Sequence, residues 1–270
     1  MSRSSDWLKG RRKSKAVQAM MASGGMYELG SDETGDMRFN AGSRKRSVFD
    51  LMPTNPAISP RVRNVHIPFQ TAYDVHATVW DESSQNAGTP LTIQDSIGNK
   101  AKFTNDTGDD DYYYYEYVYE MAQLQSGKDL WFYVSVEIGD VDEADMFVGL
   151  CADLASGNLF DNRVDCIGFT LADGSAVLNA VCTKDGTGSP AAGDPTLSLT
   201  DATEVWLGFH SNGTSQVDFF AGAKGSEVER WRVTANLPDD EILAPAFGLR
   251  NGKGAANSMT ISDIYCLIDR

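Results

Sequence analysis

The feature that most constrains the fold is a succession of short apolar segments, separated by turn-forming residues, from about position 64 to the end of the chain. Thirteen segments have the length and the β-branched or aromatic content of strands: 65–69, 74–80, 91–94, 112–119, 130–138, 146–152, 166–171, 176–183, 204–210, 216–221, 228–234, 242–249 and 258–268. Between them lie dipeptides that accept the positive φ of tight turns, namely Asp173-Gly174, Asp185-Gly186, Asn212-Gly213 and Asn251-Gly252. This pattern predicts an all-β, antiparallel two-sheet sandwich.

One segment also predicts which side chains are buried. Within residues 130–138, alternate residues form two sets. The apolar set is Phe132, Val134, Val136 and Ile138, and the mixed set is Trp131, Tyr133, Ser135 and Glu137. Successive side chains of a strand point to opposite faces of the sheet. We therefore expect the apolar set in the core and the mixed set on the outer surface of the sheet.

Charge is distributed unevenly along the chain. Residues 1–63 hold 12 Lys and Arg against 6 Asp and Glu, a net +6, and residues 64–270 hold 11 against 32, a net −21, which together give the −15 of the whole chain. Three prolines near the end of the basic part favour an extended path. We therefore divide the chain into an extended basic N-terminal arm, residues 1–63, and a β-sandwich domain, residues 64–270.

The cysteines follow neither a CxxC pattern nor a Cys/His metal-ligand spacing. All four lie within or beside apolar segments: Cys151, Cys166, Cys182 and Cys266. We interpret them as small buried apolar side chains rather than as disulfides. No apolar core of a signal peptide follows the charged N-terminal segment, and no apolar run reaches the roughly 18 residues of a membrane span. The sequence thus predicts a protein that is made and assembled in a reducing cytoplasm, without a membrane partner.

Four stretches of the second part together resemble a known fold. They are KDLWFYVSVEIGDVDEADMFVGLC, VDCIGFTLADGSAVLNAV, EVWLGFHSNGTSQVDFFAGAKG and PDDEILAPAFGLRNGKGAANSMTISDIYCLI. Their order of strands and turns resembles the concanavalin-like jelly roll, and more narrowly the form found in structural proteins of tailed-bacteriophage heads. The resemblance covers residues 64–270. It implies a non-enzymatic virion protein without a cofactor, placed on the outer surface of the capsid as a decoration (cement) or head protein.

The basic arm supplies the expected contact with the capsid. Its apolar side chains would anchor the arm and its basic side chains would steer it towards an acidic surface. These residues are Trp7, Arg11, Arg12, Lys13, Lys15, Val17, Met20, Met21, Arg44, Lys45 and Arg46. The expected partners are the major capsid protein and further copies of this chain in a homo-oligomer. Nucleic acid is not expected as a partner, because the body is acidic and the chain shows no recognition helix.

A run of tyrosines supports an alternative function. In the predicted strand 112–119, one face carries a ladder of four tyrosines, namely Tyr113, Tyr115, Tyr117 and Tyr119. Such a ladder either stacks on the sugar rings of host surface glycans, as in a carbohydrate-binding (lectin-like) module of a phage fibre, or packs across strands or at a subunit interface.

Carboxylates raise two further hypotheses. The segment 137–143 resembles the signature of laminarinase-like glycoside hydrolases, whose two carboxyl groups lie about 5 to 5.5 Å apart. Here an intervening glycine changes the spacing, and Glu137 is expected on the opposite face from the aspartates that follow unless that glycine forms a β-bulge. Acidic residues in 105–111 and 140–145 could supply oxygen ligands for calcium, but they lack the EF-hand spacing. We therefore predict acidic surface loops and no metal.

Overall fold

The computed structural model describes residues 29–31, 37–39, 62–69, 75, 78–86, 88–95, 100–152, 159–160, 163–190, 197–223 and 228–269. The chain forms two compact units, Met1–Pro53 and Thr54–Arg270. In the first unit, the described residues form one antiparallel pair of strands, β1 (Leu29–Ser31) and β2 (Met37–Phe39). The described part of the chain contains no helix long and apolar enough to span a membrane.

Within its described residues, the second unit consists of strands joined by turns and loops. The strands are β3 (Val62–Ile67), β4 (Trp80–Gln85), β5 (Thr89–Asp95), β6 (Lys100–Thr104), β7 (Tyr112–Tyr117), β8 (Leu130–Ile138), β9 (Ala144–Cys151), β10 (Cys166–Ala172), β11 (Ser175–Lys184), β12 (Thr187–Pro190), β13 (Val205–Ser211), β14 (Val217–Ala223), β15 (Glu229–Val233), β16 (Ala244–Asn251), β17 (Ser258–Ser262) and β18 (Ile264–Asp269). The prediction of an all-β sandwich is confirmed.

The strands form two antiparallel sheets. The seven-stranded sheet has the order β12-β11-β10-β9-β16-β7-β4, and the main path of the nine-stranded sheet is β15-β14-β13-β8-β17-β6-β5. β18 also pairs with β8, and β3 pairs with β18. The predicted single segment 258–268 is therefore two strands, β17 and β18, which lie along the same side of β8. They are separated at Asp263, a buried residue whose carboxylate accepts a hydrogen bond from the backbone N–H of Phe69 at 2.9 Å.

Two regions differ from the predicted strands. The strand expected at 74–80 is instead β4, which begins at Trp80 and continues through the polar residues 81–85. β6 is absent from the predicted set, because only Ala101 and Phe103 mark its buried face; both are completely buried. Strands with so few apolar positions give a weak sequence signal.

The core lies between the two sheets. The apolar set of β8 is buried there and the prediction of its inward face is confirmed. At one end, the ring of Phe247 contacts those of Phe69, Trp80, Phe103 and Tyr115, with centroid separations of 4.9–6.3 Å. Such aromatic contacts add to the stabilisation from burial.

All four cysteines are buried, as the sequence predicts, and each carries a free thiol. Cys182 and Cys266 belong to the core between the sheets. Cys151 and Cys166 belong to a second, smaller apolar cluster with Phe147 and Phe160. Because Met146, Val148 and Leu150 point into the main core, Phe147 and Cys151 point to the outer face of the seven-stranded sheet.

Candidate functional site

The predicted tyrosine surface divides into buried and exposed parts. Tyr113 and Tyr115 are only 1% and 2% exposed, so the prediction of a glycan or interface surface is wrong for these two residues. They face the second sheet, and the Tyr115 hydroxyl accepts a hydrogen bond from the backbone N–H of Leu91 at 2.9 Å. Burial, together with the nearby Glu82 carboxylate, raises the pKa of both phenols.

Of the other two tyrosines of the ladder, Tyr117 ends β7 and Tyr119 follows the strand. Tyr117 is half-buried, and its ring meets that of Trp80 edge to face at 5.4 Å. Tyr119 is 64% exposed and contacts Tyr117. The ladder therefore runs from the core to solvent instead of forming one continuous surface.

The opposite face of β7 carries two tyrosines that do reach the surface. Tyr112 and Tyr114 are half-buried, and their rings are nearly parallel, with centroids 5.8 Å apart and an angle of 16° between their planes. Phe160, from the segment between β9 and β10, lies 6.1 Å from Tyr112. These side chains lie on the outer face of the seven-stranded sheet.

Glycines on neighbouring strands make room for the aromatic rings of this face. A Cβ at Gly248, on β16, would lie 2.6 Å from the Cβ of Tyr114. A Cβ at Gly168, on β10, would lie 2.8 Å from the ring of Phe147. The register pairs Gly248 directly with Tyr114, and it pairs Gly168 with Gly149, two residues along β9 from Phe147. Rings can therefore lie close to the sheet instead of standing away from it.

Polar side chains line the edge of the sheet beside the tyrosines. Because Trp80 points inward, alternate residues of β4 point outward, and the register pairs Asp81 with Glu116, Ser83 with Tyr114, and Gln85 with Tyr112. Asp81 and Gln85 are exposed, and Ser83 and Glu116 are half-buried. We call Tyr112, Tyr114 and these four polar residues the tyrosine platform.

An ion pair bounds the platform on the other side. Arg250, on β16, donates to the Asp145 carboxylate at 2.6 Å, and its guanidinium lies 5.3 Å from the centroid of Phe160. The register places Arg250 directly opposite Tyr112. Both members of the ion pair are largely buried, which fixes the position of the adjacent rings.

Carboxylates of the two acidic loops form ion pairs and hydrogen bonds with other groups of the protein. Asp140 forms an ion pair with Lys253, and the Asp111 carboxylate accepts hydrogen bonds from the backbone N–H of Gly108 at 2.7 Å and from the Asn86 amide at 2.6 Å. Within the described ranges, no group of three His, Cys, Asp or Glu residues is placed to hold a metal ion.

Glu137 lies away from the platform. It is on β8, in register with Thr260 of β17, and it alternates with the buried Val136 and Ile138, so it points to the outer face of the nine-stranded sheet. The same face carries Trp131, whose ring stacks on the imidazole of His210 at 3.9 Å. The carboxylate of Asp129 lies 3.2 Å from Nε2 of that histidine.

The predicted capsid-docking residues of the arm, Trp7 to Met21 and Arg44 to Arg46, lie outside the described residues. The boundary at residue 63 remains a prediction as well. β3 begins at Val62, and its pairing with β18 makes it part of the nine-stranded sheet.

The sequence matches no known protein family and no curated protein. Solved structures do share its fold. Peanut lectin matches with a TM-score of 0.53 and 9% identity, over 77% of this chain and 97% of the lectin. The CBM2 module of the evolved Dit of Lactobacillus casei BL23 phage J-1 matches with a TM-score of 0.53 and 9% identity, over 78% and 97%. An endo-1,3-β-glucanase from Streptomyces sioyaensis matches with a TM-score of 0.51 and 12% identity, over 77% and 96%.

These matches define the class to which the sandwich belongs. It is a concanavalin-like jelly roll, the fold of the lectin, the phage module and the glucanase alike. The fold is therefore common to enzymes and to proteins without catalytic activity.

Sequence reasoning assigned the wrong face of β7 to the surface. The alternation of the strand separates Tyr112 and Tyr114 from the ladder, but both faces are aromatic, so hydrophobicity does not distinguish the inner one. Trp80, at the start of a polar segment, is the signal that could have identified the inner face. Its burial determines which alternate residues of β4 point inward, and the pairing of β4 with β7 then determines the same for β7.

Proposed function

We propose that this chain binds carbohydrate through the tyrosine platform. The observation that carries the proposal is the pair of nearly parallel, half-exposed rings of Tyr112 and Tyr114 beside a row of carboxylate, hydroxyl and amide groups. The apolar face of a sugar ring packs on an aromatic ring, and polar side chains at the margin pair with its hydroxyls. The platform combines both types of group on one face.

The comparisons support this proposal at the level of the fold. Two of the similar structures are named as a lectin and as the CBM2 module of a phage component. The second also supports a setting on a phage particle, where such a module would hold the virion near host surface glycans.

A glycan array followed by titration calorimetry tests the proposal. We expect saturable binding of one class of oligosaccharide, and a decrease in affinity of about tenfold or more for Tyr112→Ala and for Tyr114→Ala, since each tenfold corresponds to about 1.4 kcal/mol. Tyr119→Ala is the matched control, because that ring is exposed but lies on the other alternate set of the strand. Binding to glycans that is equally strong in all three variants would refute the platform.

The second candidate function is capsid decoration through the arm. The observation that favours it is the opposition of charge between residues 1–63, at +6, and residues 64–270, at −21. A basic arm suits an acidic surface on the major capsid protein or on a neighbouring copy of this chain in a homo-oligomer. The chain would then lie on the outer surface of the virion.

Co-sedimentation with phage heads that lack this protein tests the second candidate. The comparison is between the full chain and residues 54–270, cut after Pro53 so that β3 remains intact. Saturable binding of the full chain alone is the expected result. Equal binding of the fragment would show that the first 53 residues are not required for docking.

A further inference from the structure

Cys151 and Cys166 are direct partners across two strands. Cys151 ends β9, Cys166 begins β10, and the register places the two residues opposite each other. The adjacent pair, Ala152 and Asp165, is joined by a hydrogen bond from the N–H of Ala152 to the carbonyl of Asp165 at 2.8 Å. Hydrogen-bonded and non-hydrogen-bonded pairs alternate along an antiparallel ladder. The cysteines therefore occupy a non-hydrogen-bonded position.

This position has the geometry that a disulfide requires. The Cα atoms of a non-hydrogen-bonded pair are about 4.5 Å apart and the side chains are closer together than in the alternate pairs. Disulfides span Cα separations of about 4.4–6.8 Å. Both side chains also point to the same side of the sheet, since they share the outer cluster with Phe147 and Phe160.

We propose that Cys151 and Cys166 form an oxidation site, at which hydrogen peroxide converts the two thiols to a disulfide. One sulfur, as thiolate, attacks the peroxide, whose O–O bond breaks; this gives a sulfenic acid and one water. The other sulfur then attacks the sulfenic sulfur and releases a second water. Both thiols lose their hydrogens, two electrons pass to the peroxide, and one S–S bond forms.

The remaining cysteines are excluded as partners by their place in the fold. Cys182 lies opposite Ile167, not Cys166, and points into the core between the sheets. Cys266 is on the nine-stranded sheet. Burial raises the pKa of Cys151 and of Cys166, so we expect oxidation in the folded protein to be slower than that of an exposed thiol.

The crosslink would join the two ends of the segment between β9 and β10. That segment contributes Leu159 and Phe160 to the outer cluster, and Arg163 donates hydrogen bonds to the carbonyls of both residues at 2.8 Å. A disulfide at its base would hold Phe160 in place beside Tyr112 of the platform. The formation of the bond is independent of whether the platform binds a glycan.

Peptide mapping tests the site. The folded full-length protein is treated with hydrogen peroxide, remaining thiols are alkylated under denaturing conditions, and trypsin is added without a reductant. Cleavage after Lys128, Arg163 and Lys184 yields one peptide with Cys151 and another with Cys166 and Cys182. We expect these two peptides to be linked, with the loss of two hydrogen atoms in the intact mass and with two thiols remaining of the original four.

Two variants identify the bond. In Cys182→Ala the same linkage should persist, whereas in Cys151→Ala it should disappear; fragmentation of the linked wild-type peptides gives the same assignment if a variant does not fold. Protein oxidised in urea is the control for random pairing. Four alkylated thiols after prolonged exposure of the folded protein, or a linkage through Cys182 or Cys266, would overturn the proposal.

Discussion

At the scale of single residues, Asp218 shows how a buried charge is stabilised in the nine-stranded sheet. Its side chain is 6% exposed and accepts hydrogen bonds from Arg232 at 2.6 Å and Arg230 at 2.9 Å, both on the neighbouring strand β15. Burial alone would raise the pKa of Asp218, but the hydrogen bonds from the two arginines outweigh it. The pKa of this carboxyl group consequently lies below its ordinary value of 3.8.

Replacing this carboxylate should reduce stability in a pH-dependent manner. A folded-state pKa below the unfolded value stabilises the protein above the unfolded pKa, and this stabilisation is lost as the pH falls through the folded pKa. We expect Asp218→Asn to lower the free energy of unfolding at pH 7 by about 1.5–3 kcal/mol, the usual size for hydrogen bonds to a charged group. Urea denaturation at several pH values measures the difference, which should decrease below about pH 4.

Asp129→Asn provides the control, since this carboxylate is 60% exposed and pairs with His210 at the surface. Exposed pairs contribute little to stability. If the difference in free energy of unfolding between wild type and Asp218→Asn stays constant down to pH 2, the charged form of Asp218 is not the source of the stabilisation.

The tyrosine run shows what the sequence can and cannot predict about single residues. Alternation correctly assigns Tyr112 and Tyr114 to one face of β7 and Tyr113 and Tyr115 to the other. The choice of inner face depends on the position of the second sheet, which is set by pairing with β4 and β16, strands distant in sequence. By contrast, only one face of β8 is uniformly apolar, so its inner face is predictable from the sequence.

At the scale of the strand, close contacts between neighbours depend on glycine. At Gly248 an added Cβ would meet the Cβ of Tyr114 at 2.6 Å and the carbonyl oxygen of Tyr113 at 2.9 Å, so the backbone of β7 would have to move. We expect Gly248→Ala to destabilise the protein by about 1–3 kcal/mol, the usual cost of overpacking. Under the proposed function it should also weaken glycan binding, because Tyr114 would be displaced.

Gly188→Ala is the matched control for this prediction. Gly188 lies in the edge strand β12, where an added Cβ would meet no atom nearer than 3.6 Å. Thermal denaturation of the two variants should show a lower melting temperature for Gly248→Ala only. Equal melting temperatures for both variants and wild type would show that β7 and β16 adjust without cost.

At the scale of the whole molecule, the fold class is predictable but the sheet assignment is not. Strand number, turns and alternation depend on local sequence, and they predict a two-sheet sandwich. Pairings such as β16 with β7 and β9, or β18 with β3, join segments far apart in the chain. Several strands could satisfy the same alternation as neighbours, so the order emerges only from the packing of the complete core.

The role of β3 in the second unit leads to a prediction about truncation. β3 lies beyond β18 at an edge of the nine-stranded sheet, and Ile67 and Phe69 at its end are buried. We expect residues 54–270 to unfold cooperatively, with the same free energy of unfolding as this unit has in the full chain, because they form a compact unit. Residues 68–270 should be less stable by at least about 1.5 kcal/mol, since the loss of Ile67 alone removes about 1.5–3 kcal/mol of apolar burial. Urea denaturation of the full chain and the two fragments measures both differences. Equal stability of the two fragments would show that β3 does not stabilise the sheet. A fragment 54–270 that is less stable than the full chain would show that the first 53 residues stabilise the second unit.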